Sequence, residues 1–154
     1  MIDVPAMREV RQRKGATGGS TAVKIRLKRV YDPVSRTDGA RFLVERLWPR
    51  GLSKERLHGA VWLKDVGPST ELRRWFNHDP LKWSRFRERY FRELDSRPSS
   101  WQPILSAAGQ RIVTLVYSSH DEAHNNAVAL KEYLEAKLNG RDGGTWRRSS
   151  KTTR

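Results

Sequence analysis

Glu45, Arg46 and Arg50 fall within eight residues, Val44-Glu45-Arg46-Leu47-Trp48-Pro49-Arg50-Gly51, and their types suit acid–base and anion chemistry. A carboxylate held beside a guanidinium can act as general acid or base, and a guanidinium fork matches phosphate or carboxylate oxygens. Pro49 stiffens the segment and Gly51 allows a close backbone approach. Lys54 follows and adds a further cation. The same residues also suit a structural ion pair and a rigid loop. A second stretch, Tyr117-Ser118-Ser119-His120-Asp121, offers phenol and hydroxyl donors between an apolar run and a helical pattern. Ligands of open α/β sheets bind beyond the carboxyl ends of strands, and helix N-termini present free N–H groups to anions. An ordinary capped turn has the same composition.

Three further arrangements compete with these. Trp62-Leu63-Lys64-Asp65 leads into Arg73-Arg74-Trp75-Phe76-Asn77-His78, where cations beside indoles can clamp a base and its phosphate. Trp75 and Phe76 also read as core covered by arginine. His120 and His124 stand at i,i+4, but Asp121 reads as the helix cap, which leaves His120 outside; no third ligand follows, so no metal site is expected. Lys24, Arg26 and Lys28 alternate along one strand face with Arg29 beside them, either to meet phosphates or to keep an edge strand from aggregating.

The elements that must position these residues are legible from periodicity. Residues 23–31 alternate Val23, Ile25 and Leu27 against the cations, which is a strand with one buried face. Phe42-Leu43-Val44 is apolar on both faces, and the same strand is expected to carry Glu45 and Arg46. Ser53 can cap a short helix, and Val61-Trp62-Leu63 suits a strand or an extended segment. Pro68-Ser69-Thr70 opens a helix through Phe76, and Asp79-Pro80 opens another. Trp83, Phe86, Tyr90 and Leu94 form its apolar stripe, with Glu88–Arg92 and Arg89–Glu93 pairs opposite, and Pro98 ends it. Residues 99–108 form a shorter helix and Ile112–Tyr117 a buried strand. Asp121 caps a last helix with Ala123, Ala127, Leu130, Leu134 and Leu138 on one face until Gly140. The fold expected is α/β, with three to four strands, at least partly parallel, and four to five helices.

Composition sets the frame. The chain has 154 residues, 31 Lys and Arg against 17 Asp and Glu, and no cysteine, which suits one domain and excludes disulfides and thiol chemistry. Residues 1–23 and 140–154 carry +2 and +4 and read as disordered basic tails. Residues 24–139 keep +8 and 29 Leu, Ile, Val and Phe, enough to fold as a single domain. No apolar run reaches signal-peptide or membrane length, so no membrane partner and a cytoplasmic location are expected.

Taken in order, several blocks resemble the YeaO-like branch of a bacterial domain-of-unknown-function family. They are Ile25-Arg26-Leu27-Lys28-Arg29-Val30-Tyr31-Asp32-Pro33, Val44 to Lys54, Trp62-Leu63-Lys64-Asp65, Pro68 to Arg73 and Trp75 to Pro80. The strand ending at Tyr117 and Asp121-Glu122-Ala123-His124-Asn125 complete the match over about residues 24–136. Glu45 stands where the family commonly has Asp, Ser119-His120 replaces a small residue followed by a basic one, and Asn126 replaces a second His. The resemblance implies a compact α/β domain in the bacterial cytoplasm and brings no established reaction.

Three functional readings follow, in order. The first is a binding module for a phosphate-bearing ligand, a nucleotide or nucleic acid, held by Arg46, Arg50, Lys54 and Arg73 with Trp48 or Trp62 as stacking face. The second is a small enzyme without metal or cofactor on an anionic substrate, with Glu45 as acid or base and Tyr117 or Ser118 as auxiliary donor. The third is a protein-interaction module, which predicts an exposed tryptophan-rich patch. Convergence of Glu45, Arg46, Arg50, Lys64 and Tyr117 on one place would favour the first two.

Overall fold

A computed structural model of the chain describes residues 24–143, with side chains through 140. The two stretches read as tails therefore lie largely outside the described residues. Four strands, β1 (Ile25–Arg29), β2 (Ala40–Leu43), β3 (Ala60–Trp62) and β4 (Val113–Tyr117), form one sheet in the order β1-β4-β2-β3. Every pairing is parallel. Four α-helices, α1 (Thr70–Phe76), α2 (Trp83–Asp95), α3 (Pro98–Ala108) and α4 (Asn126–Gly143), complete the α/β fold.

Register separates the two faces of the sheet. Leu27, Leu115, Phe42 and Val61 align in one row, as do Ile25, Val113 and Ala40. This face meets Leu72 and Phe76 of α1, Phe86, Tyr90 and Leu94 of α2, Trp101, Ile104 and Leu105 of α3, and Ala127, Leu130 and Leu134 of α4. The second face is smaller: Leu43 and Val116 pack with Val30, Leu52 and Leu57, supplied by connecting segments rather than helices. Crossovers between parallel strands are right-handed, so a reversal of direction along the sheet must also change the face crossed. The two steps β1 to β2 and β2 to β3 run one way over the second face, and α1 to α3 carry the chain back to β4 over the first.

Most expected elements form, with four physical corrections. Glu45 and Arg46 lie past the end of β2, not within it, so their charge is not buried in a central strand. The last helix begins at Asn126, because Asp121 spends its carboxylate on the N–H groups of Ala123 and His124 in a turn, while Asn125 Oδ1 accepts from Val128 N at 3.0 Å. That leaves Ala123 exposed outside the helix. The helix passes Gly140, since one internal glycine costs only about 1 kcal/mol relative to alanine. The expected Arg89–Glu93 pair gives way to tertiary partners: Arg89 lies over the Trp75 ring, and Glu93 accepts from Ser69 N and Oγ at 2.8 and 2.6 Å. Ser69 in turn caps α1, accepting from Leu72 N at 3.1 Å.

Candidate functional site at the carboxyl edge of the sheet

At the boundary between β4 and β2 the chain leaves in opposite directions, β2 toward β3 and β4 into α4, which packs back over β4 and β1. Such a switch point is where open α/β sheets place ligands. Glu45, two residues beyond β2, and Ser118, the first residue after β4, meet across it. Ser118 N donates to Glu45 Oε2 and Ser118 Oγ to Glu45 Oε1, each at 2.7 Å. Burial pushes the Glu45 carboxyl above its ordinary range against the lowering effect of these two bonds and of nearby His78. Asn126 Nδ2 closes the same boundary from α4 by donating to Val44 O at 2.7 Å.

The edge is tied into a ring that visits the end of every strand. Trp62 Nε1, at the end of β3, donates to Glu45 O at 2.7 Å. Trp48 meets Trp62 edge-on at 5.2 Å and donates from Nε1 to Leu52 O at 2.6 Å. Tyr31, beyond β1, donates to Arg50 O at 3.2 Å and takes a bond from Arg56 Nη2 on its own carbonyl. Arg29 lies 4.9 Å from the Tyr31 ring centre and donates to the carbonyls of Ser118 and Ser119, which returns the ring to its start. Local sequence permits this: Pro49 and Gly51, the latter at φ 74°, turn the 49–52 segment back over the sheet end.

The expected site residues divide by their partners. Arg46 is held as a brace: its Nε and Nη2 donate to Pro68 O and Gly67 O at 3.0 and 2.9 Å, with Asp65 3.9 Å away. Gly67 is required there, because a Cβ would stand 2.8 Å from Arg46 N. Lys64 Nζ lies 5.6 Å from the centre of the half-exposed Trp62 ring. Arg50 and Lys54 are exposed on the loop beside Tyr31, and no described residue engages their side-chain nitrogens. Arg73 stands apart on α1 with Nε buried and without a hydrogen-bond partner among the described residues. The Tyr117 side chain is buried in the helix-side core, and burial, then Glu122, raises its phenol above the usual value. Glu45 and Ser118 thus come together, Trp48, Trp62 and Lys64 form the adjoining corner, Arg50 and Lys54 flank it, and Tyr117 and Arg73 lie outside the ring.

Sequence reasoning missed Tyr31 and Arg29 as partners in this edge. Their signal was a position at, or two residues beyond, the carboxyl end of an alternating strand. The cations of β1 are not a free basic face: Arg26 donates to Thr37 O and Lys28 to Asp38 and Pro33 O. Among the five described tryptophans only Trp62 is exposed, so a tryptophan-rich surface is absent from the described residues. His124 Nδ1 pairs with Asp121, its ring edge-on to Trp83, and no described cluster of three or more His, Asp or Glu could hold a metal ion. No described helix is long and apolar enough to cross a membrane.

Comparison with known proteins agrees with the blocks quoted above. Residues 24–153 match a family model described as the inactive DUF488-N3 subclade. The uncharacterized protein YeaO of Escherichia coli (strain K12) is 39% identical over 114 residues, 74% of this chain and 99% of that one. Uncharacterized proteins of Mycobacterium bovis and Mycobacterium tuberculosis are each 36% identical over 114 residues, 74% of this chain and 96% of theirs. No solved structure matches.

Proposed function

This chain belongs to the YeaO-like family whose matching model is described as the inactive DUF488-N3 subclade, and from that premise we propose a binding module for a phosphate-bearing ligand, a nucleotide or nucleic acid, at the carboxyl edge of the sheet. The observation that carries this reading is the pairing of exposed rings with cations around one loop. Tyr31 and Trp62, 38% and 40% exposed, each have a cation near the ring, Arg29 and Lys64. Between them the 49–56 loop carries Arg50 and Lys54, unengaged by described residues. Stacking surfaces interleaved with free cations suit bases and their phosphates.

Binding is favoured over catalysis for two reasons. The subclade's description as inactive supports it. Both Glu45 oxygens are also already occupied by Ser118 donors, which suits a carboxylate that holds the strand ends together. Titrating tryptophan fluorescence with mononucleotides and with single-stranded and duplex DNA and RNA across a salt series tests the reading. Affinity for a single strand should fall with log salt by about 0.7 per phosphate contacted. Arg50→Ala and Lys54→Ala should each weaken binding and shallow that slope, while Trp62→Ala should cost roughly 1–3 kcal/mol of stacking. A flat response for every ligand at low salt would refute it.

A further inference from the structure

The second face of the sheet holds a buried arginine with no hydrogen-bond acceptor among the described residues. Register places Arg26, Thr114, Arg41 and Ala60 in one row across β1, β4, β2 and β3, with Lys28 in the next row. Arg41 is 5% exposed, and its Nε, Nη1 and Nη2 are all buried without a hydrogen-bond partner among the described residues. The nearby carboxylate does not fill that need. Asp38 Oδ2 lies 3.4 Å from Arg41 Nε, but it accepts from Ser35 N at 3.0 Å and from Lys28 Nζ at 3.1 Å, and Oδ1 accepts from Lys28 at 2.8 Å. The Thr114 hydroxyl is spent on Asp38 O and Arg26 on Thr37 O. Two cations thus share one carboxylate, leaving a net positive charge and five N–H donors in a buried place.

A buried charge without acceptors is costly, and a guanidinium fork is completed best by two oxygens of an anion. We propose that Arg41 is the receptor of a small-oxyanion site, for a phosphate group or a carboxylate, on the face of the sheet opposite the helices. The site is distinct from the carboxyl edge, since Arg41 is the second residue of β2 and points away from α1–α4. Gly59, next to the strand partner of Arg41, is exposed, and a Cβ there would meet no atom within 4 Å. The Asp38 side of Arg41 is tied down by Lys28, Ser35 and Thr114, so an anion would reach the guanidinium from the Gly59 side.

The test uses the full chain with inorganic phosphate and, as the carboxylate arm, formate, each against sodium chloride at matched ionic strength. Thermal midpoint and isothermal calorimetry are the readouts. The expected result is a saturable rise in midpoint with one of the two anions, lost in Arg41→Met and weakened by about tenfold or more in Arg41→Lys, which keeps the charge but not the fork. Arg50→Ala/Lys54→Ala should leave this response intact, which separates it from binding at the carboxyl edge. If Arg41→Met fails to fold, Arg41→Lys decides. No saturable response to either anion, or one that Arg41→Lys or Arg41→Met retains in full, would overturn the proposal.

Discussion

Replacing Ser118 by alanine isolates the bond that closes the β4–β2 boundary. The substitution removes the Oγ donor to Glu45 Oε1 and leaves the backbone donor to Oε2. A hydrogen bond to a charged partner contributes about 1.5–3 kcal/mol. Glu45 retains some solvent access, so roughly 1–2 kcal/mol is expected at pH 7 once water replaces part of the lost bond. The pH profile supplies a second readout. The folded-state pKa of Glu45 is raised, so the native state binds more protons than the unfolded chain between the ordinary value near 4.5 and the raised one. Stability attributable to this group therefore falls as pH rises through that window and is restored on acidification. Glu45→Gln should remove that contribution while keeping shape and one acceptor, so its stability relative to wild type should improve with rising pH across the window. Ser118→Ala takes away a bond that favours the charged form, so its penalty should shrink below the window. Urea unfolding at half-unit steps from pH 4 to 7.5 measures both. If Ser118→Ala lies within 0.5 kcal/mol of wild type and Glu45→Gln tracks it in parallel at every pH, the bridge does not hold the boundary.

Other perturbations probe the supports. Gly67→Ala sets a Cβ 2.8 Å from Arg46 N, against backbone that cannot yield cheaply; it should cost about 2 kcal/mol or more, read by chemical denaturation. Tyr90→Phe removes the bond to Val66 O at 2.6 Å and orphans a buried carbonyl, for about 1–2 kcal/mol. Leu115→Ala, in the central strand and fully buried, should cost about 2.7–5 kcal/mol. Burial alone would raise the Asp38 carboxyl, but Lys28, Ser35 N–H and the charge of Arg41 outweigh it and hold it below the ordinary 3.8. Its stabilisation is present above that value and lost as pH falls through the lowered one, and Asp38→Asn should be strongly destabilising at neutral pH, by about 3 kcal/mol, with the acid limb of the stability profile flattened.

Elements with strong periodicity were legible before any tertiary contact. Phe86, Tyr90 and Leu94 had to face a core wherever α2 lay, and Val113–Tyr117 could only be a buried strand. Helix starts were less secure. Asp121 and Asn125 are both good caps; Asp121 closes a separate turn on the N–H groups of Ala123 and His124, and Asn125 caps α4 through Val128 N–H. Glu45 was legible as a functional candidate, but its setting was not. Its partner Ser118 is separated by 73 residues, and a parallel pairing between β2 and β4 has no local signature.

By itself the sequence determined the fold class, the apolar faces, the family blocks and the stretches in which chemistry-bearing residues concentrate. Side-chain periodicity and turn chemistry are local properties, so they survive without knowledge of neighbours. Only the tertiary structure decided which charges are spent and which are free. It committed Arg46 to two carbonyls of the Gly67-Pro68 turn and Lys28 to Asp38, while leaving Arg50 and Lys54 exposed and Arg41 buried with an ion pair to Asp38 but no hydrogen-bond acceptor among the described residues. A guanidinium is the same donor fork in every sequence. What it does depends on acceptors brought from other strands and loops, and those are placed by the strand order β1-β4-β2-β3.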